Sequence, residues 1–172
     1  AEEFEATLAE ASEEVDAAVT AVQDIALSVS LARFVLDFDL TRPRFREEKV
    51  AGVVDARNIF LEAGGEDVQP VTYAVGAHEL GVTESRAPPA EHRVTVLTGA
   101  NSGGKTTLLE TLCQVQLLAQ MGLPVPASEA ELTLVDAIVF HRRHASFNAG
   151  VLESTLRSVV PPVTESGRTL ML

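Results

Sequence analysis

The sequence is poor in cysteine and lysine, and each scarcity narrows the possible functions. Cys113 is the single cysteine, so an internal disulfide is excluded and a reducing, cytoplasmic compartment is expected. Only Lys49 and Lys105 are lysines, and 25 acidic residues against 13 basic ones give a net charge of −12. Such a surface repels nucleic acid phosphates, which disfavours duplex binding by this segment alone. The same composition suits concentrated salt and predicts a salt-adapted, halophilic protein.

Long apolar runs are also missing, so the sequence predicts no membrane span and no leader peptide. The first residue is alanine, which leads us to expect a piece of a longer protein. The 172 residues, 46% of them hydrophobic, suffice for one packed domain with an attached helix. The predicted division is a helical arm over 1–48 and an α/β domain over 49–172.

Residues 1–32 predict one long helix. Its apolar or small side chains recur in alternating steps of four and three, at Phe4, Leu8, Ala11, Val15, Ala18, Val22, Ile25 and Val29. Glutamate and aspartate occupy the opposite face. The pattern fits two structures equally, a helix packed on its own domain or a lever or coiled-coil arm that contacts a second helix.

From Lys49 onward, short β-branched runs alternate with turns that contain glycine and proline. Strands are predicted within "KVAGVVDARNIFLEAG", "VQPVTYAVG", "HRVTVLTG", "AELTLVDAIVF" and "RTLML". Helices are predicted from Lys105 to about Gln120 and near 149–160. The order strand, glycine loop, helix, strand, helix, strand predicts an α/β domain with a mixed or parallel sheet.

Residues 99–106 satisfy the pattern G-x4-G-K-[ST] of a phosphate-binding loop, or Walker A motif. They are Gly99, Ala100, Asn101, Ser102, Gly103, Gly104, Lys105 and Thr106, with Thr107 following. Glycines let backbone N–H groups turn toward phosphate oxygens, and a helix that begins at Lys105 adds its positive end. Lys105 would reach the β- and γ-phosphates, and the Thr106 hydroxyl would ligate Mg²⁺. The sequence therefore predicts a P-loop domain that binds a nucleotide with Mg²⁺.

Hydrolysis of a nucleotide also needs an acidic residue at the end of a second strand, where it holds Mg²⁺. The best candidate strand, residues 169–172, is the last segment of the sequence. Asp136, Glu153 and Glu165 are placed less well, early in a strand-like run, on a predicted helix and in a turn. We therefore expect the acidic (Walker B) residue to lie beyond Leu172, and these 172 residues alone to be inactive as an ATPase.

The segment "TGANSGGKTTLLETLCQVQLLAQMGLPVPASEAEL" closely resembles the region around the phosphate loop in the MutS DNA mismatch-repair ATPases, which are of the ABC class. The loop of that family reads TGPN-x-GGK-[ST], and the helix after it leads to a glycine and a "VPA" stretch, here Gly122 and Val125–Ala127. Upstream, "DIALSVSLARFVLDFDLTRPRF" looks like the helix that enters the family's ATPase domain. The likeness is clearest over 94–132 and implies a P-loop, ABC-type fold that binds ATP.

Three departures from the family pattern point to a diverged, MutS-like branch. Ala100 replaces the usual proline, and Asn58 stands near the usual histidine. The family's signature loop, which reaches the partner's γ-phosphate across a dimer, ends in Gly-x-Ser-Thr-Phe. Here "SFNAGVLESTLRS" keeps Ser154 and the threonine after it but has Leu156 in place of phenylalanine. The resemblance gives Ser154 the role of a phosphate contact in trans.

Two further features leave alternatives open. Tyr73, the single tyrosine, precedes the loop where the family's adenine pocket forms, so it either stacks on adenine or is a half-buried strand residue. "FHRRH" at 140–144 is the one basic cluster. His141 and His144 lack nearby partners for a zinc site, which leaves an arginine that faces a nucleotide or partner, or a solvated turn.

The resemblance implies an ATPase domain that forms a homodimer around two ATP molecules and drives a clamp on DNA, in repair or recombination. DNA contacts would come mainly from domains absent from these residues. Two alternatives stay open, an SMC-like DNA-maintenance ATPase of the ABC class and a nucleotide-gated dimerisation module with negligible turnover.

Overall fold

In a computed structural model, the structure describes residues 2–81, 94–98, 104–140, 157, 161 and 167–172, with side chains from residue 11 onward. Contacts divide the chain into two compact units, Ala1–Asp39 and Leu40–Leu172. The second unit therefore begins before the expected boundary at 48/49. The reason is strand pairing, because Thr41 exchanges two backbone hydrogen bonds with Val125 and the short strand that follows it joins the sheet.

The first unit is a single helix, α1, over Glu2–Asp37. The predicted helix over 1–32 is confirmed, and it continues to Asp37. Its predicted apolar stripe is exposed at Val15, Val22, Ile25 and Val29. These exposed side chains leave both interpretations of the stripe as predictions.

By length and composition, the stretch Ala11–Asp37 could cross a membrane, with a mean hydropathy of 1.5. We expected no apolar run as long as a membrane span, and by mean hydropathy this expectation is not met. The many alanine, valine and leucine residues raise the mean hydropathy of the stretch despite its charges. However, Asp24 lies near the middle of the stretch. A charged side chain at the centre of a bilayer costs about 2.5–3.5 kcal/mol, so this single helix gives weak support for a membrane span.

Like charges should make α1 sensitive to salt. Its ionisable residues are almost all acidic, with Arg33 as the one base, and Glu10 lies one helical turn from Glu13 and Glu14. Each like-charge pair at this spacing costs about 0.2–0.5 kcal/mol at low ionic strength. We expect the thermal midpoint of helix loss, followed by circular dichroism, to rise with KCl. The triple variant E10Q/E13Q/E14Q should rise less, and a level midpoint or an equal rise in both proteins would contradict this account.

The second unit contains a four-stranded mixed sheet in the order β1-β4-β2-β3. The strands are β1 (Arg44–Phe45), β2 (Val50–Ala56), β3 (Val71–Gly76) and β4 (Glu129–Leu132). β1 is parallel to β4, and β2 is antiparallel to both β4 and β3. Helices and a mixed sheet are thus both present, and the P-loop, ABC-type fold stays a prediction.

A separate parallel pair is formed by β5 (Ala137–Val139) and β6 (Thr169–Met171). The run "AELTLVDAIVF", predicted as strand-like, is thus divided between β4 and β5 in different sheets. The chain changes partners between them, because Thr133 N donates to Val50 O in the first sheet while Asp136 N donates to Arg168 O beside the second.

Two helices complete the second unit, α2 (Ile59–Ala63) and α3 (Lys105–Gln120). The limits predicted for α3 are confirmed. The helix predicted near 149–160 lies outside the described residues apart from Arg157. Residues 94–98, predicted as a strand within "HRVTVLTG", are not assigned to one, and Val94 and Val96 are about 80% exposed. Within the described residues, no strand pairing joins this segment to either sheet.

α3 packs on the four-stranded sheet and forms the core. Its buried apolar residues, Leu112, Val115 and Ala119, recur at helical spacing, as expected for one face of an amphipathic helix. They contact a cluster that includes Val53 of β2 and Leu132 of β4. This packing fixes the position of the helix and therefore of its N-terminal end. That end is the candidate site, because the phosphate-loop motif leads into it.

Ion pairs hold the side of the same sheet where β1 pairs with β4. Glu131 is 1% exposed, and its carboxylate lies 3.0 Å from Arg44 Nη2 and accepts a hydrogen bond from Glu79 N. Arg46 Nη1 lies 2.9 Å from Glu79 Oε2, and the hydrogen bond from Arg46 lowers the pKa of Glu79. The buried Glu131 charge is therefore paired and hydrogen-bonded, which offsets its loss of hydration.

Candidate nucleotide-binding site

The candidate site starts at the first residue of α3. Gly104 precedes it with φ 70° and ψ 10°, the left-handed region that favours glycine, and has no side chain to cap the helix. By contrast, Asn58 caps α2 with its own side chain, accepting hydrogen bonds from Phe60 N and Leu61 N. The N-terminal end of α3 therefore keeps the partial positive charge of a helix end without a side-chain cap from its neighbour.

A cavity of about 400 Å³ opens at this end of α3. Its walls come from α3, from α2 and the segment that follows it, and from residues 94–98. The lining residues are Asn58, Leu61, Asp67, Val68, Gln69, Val71, Leu97, Thr98, Gly104, Lys105, Thr107, Leu108 and Thr111. The volume lies in the range of small-molecule sites, about 300–1,000 Å³.

The sequence-predicted site residues divide into three groups. Gly104, Lys105 and Thr107 line the cavity, and Thr106 lies exposed in the same first turn of α3. Gly99, Ala100, Asn101, Ser102 and Gly103 lie outside the described residues, as does Ser154. The described part of the motif thus lies at a cavity, and the roles of the other residues stay predictions.

Tyr73 lies elsewhere. It is half-buried on β3, packs against the hydrophobic core, and lines a second cavity of about 500 Å³ beside β6. It is not among the residues that line the cavity at Lys105. Of the two alternatives for Tyr73, the geometry matches the half-buried strand residue, and it offers no support for stacking on adenine.

Sequence reasoning missed the walls that face α3. Leu61, Asp67, Val68 and Gln69 come from α2 and the segment after it, well before the loop in sequence. One signal was available, since Asn58 before "IFLEAG" is a recognisable helix N-cap. For the other lining residues, no local sequence pattern predicts that they lie near the phosphate loop.

Asn58 is also tied to α3. Its side chain is 3% exposed, and Oδ1 accepts a hydrogen bond from Gln114 Nε2 at 3.0 Å. Gln114 Oε1 in turn accepts a hydrogen bond from Ile59 N at 3.0 Å. One glutamine on α3 therefore holds both the side chain of Asn58 and the backbone of the next residue.

Within the described part of the chain, no group of three or more His, Cys, Asp or Glu side chains is placed to hold a metal ion. His141 and His144, the histidines of the basic cluster, lie outside that part. The motif assigns Mg²⁺ to the Thr106 hydroxyl, and that assignment stays a prediction.

Cys113 lies in α3 and is half-buried, and burial raises the pKa of its thiol. A raised thiol pKa lowers the fraction of reactive thiolate at neutral pH. The half-buried position on α3 thus favours a packing role for Cys113.

Residues 95–159 match the family model of MutS domain V. The DNA-binding protein MutS2 of Pyrococcus furiosus is 40% identical over 138 residues, which make up 78% of this chain and 22% of that protein. The chain thus spans only about a fifth of the length of this curated relative.

The match includes the phosphate-loop motif and all of α3, the part of the chain in which the likeness to MutS ATPases is clearest. Together with the identity to MutS2, it supports a MutS-family protein. The predicted family is confirmed at this level. The ABC class and the diverged branch stay predictions.

Proposed function

We propose that this MutS-family chain contributes an ATP-binding site to a longer protein that acts in DNA repair or recombination. The observation that carries the proposal is the cavity of about 400 Å³ into which the start of α3 opens, with Lys105 and Thr107 in its wall. The match to MutS domain V, over residues 95–159, includes Lys105 and Thr107.

The polar end of the cavity suits a triphosphate. The backbone N–H groups in the first turn of a helix point along its axis and favour an anion there. Lys105 begins that turn, so its ammonium group adds a full positive charge on the same wall. In a chain with a net charge of −12 and only two lysines, this placement is a specific positive feature.

The remaining lining residues suit a nucleoside. Leu61, Val68, Val71 and Leu108 give the cavity an apolar wall, and Asp67 and Gln69 add a carboxylate and an amide. A base needs an apolar surface along its faces and a few polar groups at its edge. The division into a cationic end and a mixed apolar wall therefore favours a nucleotide over inorganic phosphate.

Mg²⁺ fits the same end of the site. Thr106 lies exposed in the first turn of α3, where its hydroxyl could ligate the ion beside bound phosphates. A bound Mg²⁺ would neutralise phosphate charge. Gly104 and Lys105 would orient the phosphates through the backbone and the ammonium group.

Hydrolysis, dimerisation and DNA clamping are proposed for the longer protein. In that state two ATP molecules would lie between ABC-type domains of a homodimer, with Ser154 of one subunit contacting phosphate bound to the other. The acidic surface of this chain disfavours direct contact with DNA, so the duplex would be held by other segments.

Photo-crosslinking with 8-azido-ATP and Mg²⁺ tests the location of the site, because the azide reacts with whatever side chains surround the base. After digestion, we expect the label on residues 61–71 or on the first two turns of α3, and excess ATP should remove it. The label on Tyr73, or labelling that ATP does not reduce, would overturn the assignment of the base to this cavity.

A further inference from the structure

One side chain joins α3 to α2, two elements that line the candidate cavity, without lining the cavity itself. Gln114 lies on α3, whose Lys105, Leu108 and Thr111 form one wall. Its amide nitrogen donates to Asn58 Oδ1 and its amide oxygen accepts from Ile59 N, both at 3.0 Å. Both partners lie where β2 leads into α2, and Asn58 and Leu61 of this region line the cavity.

Asn58 Oδ1 serves two purposes at once. Besides the bond from Gln114, it accepts hydrogen bonds from Phe60 N at 3.1 Å and Leu61 N at 3.3 Å. Leu61, two residues into the helix after Ile59, lines the cavity. The position of this wall therefore depends on the Asn58 side chain, and the Asn58 side chain is fixed to α3 through Gln114.

We propose that Gln114 is a positioning residue that holds the Asn58–Leu61 wall at a fixed distance from the phosphate end of α3, and so shapes the nucleoside half of the cavity. This inference rests on the proposed ATP site and goes beyond it, since nothing in the phosphate-loop motif concerns Gln114. The phosphate half of the site, at Gly104 and Lys105, does not depend on the two bonds.

The division between the two halves gives a readout that a merely structural role would not change. Inorganic tripolyphosphate uses only the phosphate half, whereas ATP uses both halves. Loss of Gln114 should therefore weaken ATP binding while tripolyphosphate binding stays nearly constant. General loosening of α3 would weaken both ligands together.

The test compares Q114L with Q120L, measuring dissociation constants of Mg-ATP and Mg-tripolyphosphate by displacement of a fluorescent ATP analogue. Gln120 is a matched control on the same helix, because its Oε1 accepts hydrogen bonds from Val135 N and Gln116 Nε2, away from this cavity. We expect Q114L to weaken ATP about tenfold, as two hydrogen bonds to one wall are lost. Q120L should leave both constants within about twofold of wild type.

A second variant, Q114E, keeps an acceptor for Ile59 N but sets a carboxylate oxygen against Asn58 Oδ1, so it should weaken ATP binding at least as much as Q114L while tripolyphosphate binding stays nearly constant. Equal weakening of ATP and tripolyphosphate, or unchanged ATP binding in both Gln114 variants, would overturn the role of Gln114 and leave the ATP site standing. If the wild-type chain binds neither ligand, the proposed function itself fails and this inference falls with it.

Discussion

Replacing Lys105 with alanine is expected to weaken Mg-ATP binding about 10- to 100-fold, because each hydrogen bond to a charged group contributes about 1.5–3 kcal/mol. Lys105 is the first residue of α3 and lines the cavity at its positive end. Its ammonium group would be the one full positive charge of the phosphate loop. The dissociation constants can be compared by equilibrium dialysis with labelled ATP.

The chain offers a close control, since Lys49 is the only other lysine and lines the second cavity beside β6. Lys49→Ala removes the same charge from the surface without touching the candidate site. We expect it to bind Mg-ATP as wild type does. Equal losses in the two variants would mean that net charge, not the site, governs binding.

The largest expected effect on stability comes from Gly76→Ala. Gly76 ends β3 with φ +91°, and a Cβ there would lie 1.9 Å from Lys49 O and 3.0 Å from Val50 Cα. Both neighbours are backbone atoms of the paired segment, so they cannot turn away as a side chain could. Backbone strain of about 1–3 kcal/mol and overpacking of a similar size should together cost about 2–6 kcal/mol, a large part of a typical domain's stability.

Gly65→Ala separates strain from collision. Gly65 has φ +79°, but a Cβ there would meet nothing within 4 Å. We expect this variant to lose only about 1–2 kcal/mol. Urea denaturation followed by circular dichroism measures both, and loss of folding in Gly76→Ala alone agrees with the account. Similar midpoints for the two variants would contradict the close packing of β3 on the Lys49–Val50 segment.

The limits of α3 could be predicted from the sequence because the signals that begin and end this helix are local. A glycine able to adopt positive φ precedes Lys105, apolar residues follow at helical spacing, and Gly122 has φ +78° just after the helix ends. The same locality explains why the phosphate end of the candidate site could be predicted from a motif.

The facing wall could not be predicted in this way. Residues 61–71 reach the cavity only because β2 and β3 pair around them, and the bond between Gln114 and Asn58 joins residues 56 positions apart. The short β1 strand likewise exists only through its parallel partner β4. Val94 and Val96 are exposed and belong to no assigned strand, although their β-branched run predicts one. A β-branched run forms a strand only where a partner strand is available.

The central claim is that the folded chain binds Mg-ATP at the start of α3, and calorimetric titration in high KCl tests it most directly. We predict saturable binding with about one ATP per chain. EDTA should weaken this binding, because it removes the Mg²⁺ that neutralises phosphate charge. A chain that circular dichroism shows to be folded, yet that takes up no ATP at any accessible concentration, would contradict the account.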